Sequence, residues 1–109
     1  MVSGERKKKE ERAIRELFEC YKQIEVLKEK LAYSPDFHRW RRETEAMVVR
    51  IFGEGSDQVR DFMAIYYNPN FLSCRTGDAD FEEAYREGLE QARRMIVSWI
   101  DSLGRDAVQ

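Results

Sequence analysis

The sequence predicts an all-α fold: an antiparallel four-helix bundle with one short helix and an irregular loop before the last helix. Three observations carry that expectation. Large apolar residues recur three and four positions apart, the spacing of one helical face, inside four separate segments. Residues that start or stop helices bracket those segments, among them Ser34-Pro35, Gly53, Asn68-Pro69 and Gly104. The composition is 42% hydrophobic and 37% charged, against a usual charged share of about 25%, which suits helices with one buried stripe and one solvated face. A chain of 109 residues is one domain by length and can close a single core. Residues 1–12 read as a charged extension of the first helix, 13–104 as the bundle domain and 105–109 as a C-terminal tail.

The first helix is predicted from about Glu5 to Ala32. Ile14, Leu17, Tyr21, Ile24 and Leu31 form its stripe, Phe18 and Leu27 widen it, and Lys28 interrupts it. Its charged opening turns can be helical only as a solvated extension, held by pairs such as Lys7 with Glu11. The second helix has the clearest signals. Ser34 caps it, Pro35 tolerates the first position, Asp36 suits the positive end of the dipole, and Gly53 stops it. Its stripe is Phe37, Trp40, Thr44, Met47, Val48 and Ile51.

Gly55 or Ser56 caps a short third helix carrying Val59, Phe62, Met63 and Tyr66 on one face. Asn68-Pro69-Asn70 ends it, because the residue before proline resists the helical region. Residues 71–79 show no period and read as the irregular loop. The last helix begins near Asp78 or Asp80, with Asp80 and Glu83 resembling a capping box, and ends at Gly104. Phe81, Tyr85, Leu89, Ala92, Ile96, Trp99 and Leu103 are its stripe, and Gly88 in its middle either permits a close approach or marks nothing. At 1.5 Å per residue the first and last helices span roughly 35–42 Å and the other two about 27 and 16 Å. The long pair therefore overhangs the short pair, and either solvent or a second subunit covers the overhang.

Charge and residue usage narrow the function classes. Lys and Arg number 19 against 21 Asp and Glu, so no net field draws in nucleic acid or an anionic membrane. No apolar run approaches the ~18–20 residues that span a bilayer, and the N-terminus lacks the apolar stretch of a secretion signal, so a cytoplasmic location is expected. Cys20 and Cys74 have no CxxC companion and His38 is the sole imidazole, so one subunit cannot assemble the usual Cys/His zinc site. Both cysteines read as reduced thiols. The carboxylates form no repeated ExxH or ExxE arrangement of the kind a di-metal bundle needs. No catalytic residue, cofactor or metal is expected.

Two segments stand out. In His38-Arg39-Trp40-Arg41-Arg42, the guanidiniums of Arg39, Arg41 and Arg42 beside an aromatic ring and a helix start are a candidate phosphate or nucleic-acid site. Against that, Arg39 with Glu43 and Arg41 with Glu45 stand at i,i+4, so local ion pairs can absorb the charge. In Tyr66-Tyr67-Asn68-Pro69-Asn70-Phe71, Tyr67 and Phe71 fall off the helical period. They either line an interaction surface or fold back as a lid over the bundle end.

The series Ser34-Pro35-x-Phe37-x-x-Trp40, Ile51-Phe52-Gly53-x-x-Ser56, Phe62 and Phe81-x-x-x-Tyr85-x-x-Gly88-Leu89 resembles an uncharacterised prokaryotic helical domain. That domain is often found beside a predicted nucleotide-binding or TIR-like effector domain. The resemblance covers about residues 10–103 and rests on packing and capping residues. It implies an accessory module that senses, oligomerises or docks, and it assigns no catalytic residue. No effector domain follows Leu103, so the chain is expected to be a stand-alone member or an excised piece. The leading expectation is a non-catalytic interaction or oligomerisation module, a homodimer through the first and last helices or a binder of another protein. The alternative is a binder of a phosphate-bearing ligand or nucleic acid through Arg39, Arg41 and Arg42.

Overall fold

A computed structural model describes residues 2–68 and 77–108 and contains four helices, with no strand among those residues. They are α1 (Val2–Lys28), α2 (Pro35–Phe52), α3 (Asp57–Met63) and α4 (Asp78–Val108). Phe71, Cys74 and most of the irregular stretch expected before the last helix lie outside the described residues.

The principal contact joins α1 to α4, the first helix to the last. Tyr85 Oη donates to the Leu27 carbonyl at 2.8 Å, Lys28 pairs with Glu90 at 2.7 Å, and Ala13 shares a cleft wall with Leu103. Residue numbers therefore fall along one helix as they rise along the other. The same holds between α1 and α2, where Lys30 meets Asp36, Cys20 meets Met47 and Glu16 meets Arg50. The molecule is elongated, 60 × 26 × 20 Å, with the charged opening of α1 helical from Val2 onward.

The caps of α2 are those the sequence predicts. Ser34 Oγ accepts the Phe37 N–H at 3.2 Å, Pro35 opens the helix, and Gly53 closes it at φ 99° with its N–H on the Val49 carbonyl. Ser56 Oγ caps α3 in the same way, accepting the Val59 N–H. Phe37, Trp40, Thr44, Met47 and Val48 are buried along α2. They meet Leu17, Ile24 and Leu27 of α1 and Tyr85, Leu89, Ala92, Ile96 and Trp99 of α4 in one core.

The other three helices depart from their predicted limits. α1 stops at Lys28 rather than near Ala32. The Glu29 and Lys30 N–H groups fall back onto the Val26 and Leu27 carbonyls, and Tyr33 turns the chain at φ 62°. Leu31, assigned to the stripe from the sequence, is consequently 80% exposed. α3 ends at Met63, earlier than its stripe suggested. Beyond it Ile65 and Tyr67 point inward while Tyr66 points out, an alternation of period two, and Met63 at the helix end is exposed as well.

α4 starts at Asp78, one of the two starts the sequence offers, and so one turn before an Asp80 cap would place it. Gly77 provides the first helical carbonyl, and Asp80 reaches back to accept the Gly77 N–H at 3.2 Å, taking the third position of the helix rather than the cap. The helix also passes through Gly104 to Val108. Gly104 is not among the positive-φ residues, and Asp101 with Arg105 forms an ion pair across it. A glycine ends a helix where it adopts a left-handed conformation, and here it does not.

Candidate interaction surface

The Arg cluster of α2 is divided by the helix that carries it. Arg39 lies on the flank facing α1, bound to Asp36 at 2.7 Å, and Asp36 is shared with Lys30. Its partner is thus Asp36 and not the expected Glu43. Lys30 and then Arg39 hold the Asp36 carboxyl below the usual carboxylate range. Arg41 lies on the opposite flank, its guanidinium 4.9 Å from the centre of the Tyr67 ring. Arg42 is exposed. Residues two apart on a helix diverge, and the structure does not bring the three guanidiniums around one position. His38 is exposed on the same helix, its ring 5.4 Å from Phe37.

Tyr67, one of the two aromatic residues singled out as a candidate surface, is instead 3% exposed and part of the core. Its ring meets the edge of Phe37 at 4.8 Å and covers Gly88. A Cβ at Gly88 would overlap Tyr67 Cδ1 and stand 2.9 Å from the Tyr66 carbonyl, so this glycine is the seat of the ring. The Tyr67 carbonyl accepts from Tyr33 Oη at 2.7 Å. Its own hydroxyl is buried with no hydrogen-bond partner, and burial pushes the phenol well above its ordinary pKa. The lid reading therefore describes Tyr67 and the surface reading does not. Phe71 lies outside the described residues.

Cys20 sits in the α1–α2 contact. Its carbonyl accepts from Trp40 Nε1 at 3.2 Å, and its thiol accepts from Thr44 Oγ1 at 3.5 Å and approaches Met47 Sδ at 4.0 Å. Burial pushes the thiol upward against the opposing effect of the Thr44 hydrogen bond, which favours the less reactive thiol form. Among the described residues there is no group of three His, Cys, Asp or Glu side chains that could hold a metal.

One surface was not singled out from the sequence. The α2–α3 layer covers one side of the α1–α4 pair and leaves the other side open. On that open side Phe18 stacks on Tyr21 at 5.8 Å, and Arg93 interacts with both Tyr21 and Glu90. Phe18 is one turn from Tyr21 toward the start of α1, and Val97 is one turn from Arg93 toward the end of α4. Because the helices run in opposite senses, these turns coincide. Phe18 is 49% exposed and Val97 44%, with Ile14, Tyr21 and Ile100 half-buried around them. The sequence counted Phe18 as core; its neighbour Leu17 is the residue that enters it. At the edge of this surface Arg93 and then Lys28 hold the Glu90 carboxyl down at about 2.

A second feature is an open cleft of about 530 Å³ at the end where α1 begins and α4 finishes. Ala13, Ile51 and Leu103 form its apolar floor, while Lys9, Arg12 and Arg50 face Glu10 and Glu16 at its rim. Arg50 is paired with Glu16. The mixed rim favours neither sign of ligand.

No protein-family model matches the chain, and no curated protein or solved structure matches it either. The residues that carry the resemblance to the prokaryotic helical domain act here as caps and core: Ser34, Phe37, Trp40, Gly53, Ser56, Phe62, Tyr85 and Gly88. No helix among the described residues is long and apolar enough to cross a membrane.

Proposed function

We propose that this chain is a non-catalytic interaction module, an antiparallel helical bundle that self-associates through α1 and α4 and acts in the cytoplasm as an accessory to an effector. The observation that carries this reading is the open apolar surface around Phe18 and Val97, on the two longest helices and opposite the α2–α3 layer. Isolated exposed apolar residues are ordinary, but an aromatic pair continuous with aliphatic neighbours across two helices is the kind of patch that association buries. Away from this surface, Phe37, Trp40, Phe62 and Trp99 are committed to the core in a continuous series of ring contacts, while Tyr66 stands exposed by itself.

Sedimentation equilibrium from micromolar to millimolar concentration tests the reading. The wild-type chain is expected to dimerise. Phe18→Glu is expected to weaken the dimer by at least about tenfold, the scale of a central contact at an interface. Its helical circular dichroism should be unchanged, since Phe18 is half-exposed in the single chain. A wild-type protein that stays monomeric throughout sinks the proposal, and so does a dimer indifferent to Phe18→Glu.

A further inference from the structure

Part of the polar surface near the start of α2 has no partner within the molecule. On the flank facing α1, Asp36 holds both Lys30 and Arg39. Elsewhere on the helix Arg41 and Arg42 flank His38, because residues three and four apart stand side by side. Arg39, Arg50, Arg60 and Arg93 each bind a carboxylate. Among the described residues His38, Arg41 and Arg42 bind none, and Glu45, one turn on from Arg41, forms no ion pair with it. Arg41 instead lies half-buried over the Tyr67 ring, 4.9 Å from its centre. The Tyr67 hydroxyl is the buried side-chain polar group left without a hydrogen-bond partner among the described residues, and the charge of Arg41 acts on it. A buried donor left unpaired is costly, and an acceptor arriving beside Arg41 would satisfy it.

We propose that His38, Arg41, Arg42 and Tyr67 form a binding site for a phosphate monoester. The proposal does not depend on self-association, since these residues belong to α2 and to the segment after α3, in the layer opposite Phe18 and Val97. Stacking on Tyr67 occupies the face of the Arg41 guanidinium and leaves the N–H donors on its edge free, so the fork is positioned without being used. Arg42 is exposed and supplies a second fork, and the exposed His38 ring stands between them. Burial keeps the Tyr67 phenol protonated, so it meets an anion as a donor. Donors from the side of a helix and from the segment packed against it suit the tetrahedral spread of phosphate oxygens better than the planar pair of a carboxylate. Two guanidiniums also match the nearly doubled charge of a monoester. Arg39 takes no part, because Asp36 holds it on the other flank.

Isothermal titration calorimetry of the full chain tests the site, with inorganic phosphate, phenyl phosphate and benzoate as probes. The two phosphates are expected to bind with Kd on the order of 1 mM or tighter, and benzoate at least about tenfold more weakly. Tighter binding of phenyl phosphate assigns the site to an organic monoester, and equal binding assigns it to free phosphate. Arg41→Gln and Arg42→Gln should each weaken phosphate binding about tenfold, the scale of one hydrogen bond to a charged group. Tyr67→Phe should weaken it comparably without lowering stability to urea, because it removes an unpartnered hydroxyl and keeps the ring. Arg39→Gln should bind like the wild type. Absence of binding of either phosphate at about 10 mM, ten times the expected Kd, overturns the proposal. Benzoate that binds as tightly as phosphate overturns it too. So does a Tyr67→Phe variant with wild-type affinity, or an Arg39→Gln variant that loses as much as Arg41→Gln, since either reduces the site to diffuse surface charge.

Discussion

At the end of the bundle that carries the α1–α2 turn, polar atoms of three tyrosines and a glutamate tie separate segments together. Tyr85 Oη closes the last turn of α1 at the Leu27 carbonyl, Tyr33 Oη holds the Tyr67 carbonyl, and Glu82 accepts the Ala32 N–H at 3.3 Å. The rings of Tyr33, Phe37, Tyr67, Phe81 and Tyr85 pack edge to face around them. At the opposite end, α1 and α4 run past the reach of α2, Leu103 and Ile51 are only half-buried, and an open cleft separates the helices. One end is locked by directional bonds between side chain and backbone, and the other is held by partial apolar cover. The contrast teaches that stability is concentrated where the chain reverses direction, and that the overhanging end is the part able to yield.

The strongest way to break the comparison is to truncate one apolar side chain at each end. Phe37→Ala, at the centre of the locked cluster, is expected to cost about 3–5 kcal/mol in urea unfolding. Leu103→Ala, at the half-covered end, should cost well under half as much. Equal losses would show that the ends are equally packed.

The next largest effect is at the seat of the Tyr67 ring. Gly88→Ala removes a mid-helix glycine, which alone would gain about 1 kcal/mol. Against that, the added methyl enters the space of Tyr67 Cδ1 and the Tyr66 carbonyl. A net loss of about 1–3 kcal/mol is expected, from overpacking against a ring already wedged on Phe37. Combining it with Tyr67→Ala should cost less than the sum of the two changes, because the second removes the obstacle to the first.

The smallest effect sharpens the role of the buried phenols. Burial, and then the nearby Glu82, pushes the Tyr85 hydroxyl from 10.0 up to about 12. The folded state therefore holds this proton more tightly than the unfolded chain does, and the associated stability is intact below pH 10 and lost as pH rises toward 12. Tyr85→Phe should cost about 1 kcal/mol at neutral pH through the lost bond to the Leu27 carbonyl, and flatten that alkaline decline. An unchanged alkaline profile would assign the decline to Tyr67 and Tyr33, the other phenols raised by burial.

Legibility from sequence tracked the density of local signals. α2 could be read almost residue by residue because Ser34, Pro35 and Gly53 each act within one turn of themselves. Gly104 misled, because a stop residue works only in the conformation that stops, and here Gly104 stays helical with the Asp101–Arg105 pair spanning it. The start of α4 at Asp78 was one of the two offered, and only the Asp80 capping box failed, because an acidic residue serves equally as cap or as third position. Ile65 was missed as core, and Tyr67 was left between surface and lid, because two inward residues at period two are too short a run to register beside a helix. In the Arg cluster, Arg39 and Arg41 stand two apart and so face different flanks of α2, which adjacency in sequence conceals. Phe18 shows the deeper limit. A helical stripe reveals which residues are apolar, and only the neighbouring helices decide which edge of a wide stripe is covered.

The pairing of the first helix with the last has a consequence for how the protein is made. Synthesis proceeds from the N-terminus, so α1 leaves the ribosome long before α4, its main packing partner. Until then only α2 can shelter it, and Leu17 and Ile24 must wait half-clothed. A nascent chain of this design is a natural client for holding chaperones, and its commitment to the native state comes with the final helix.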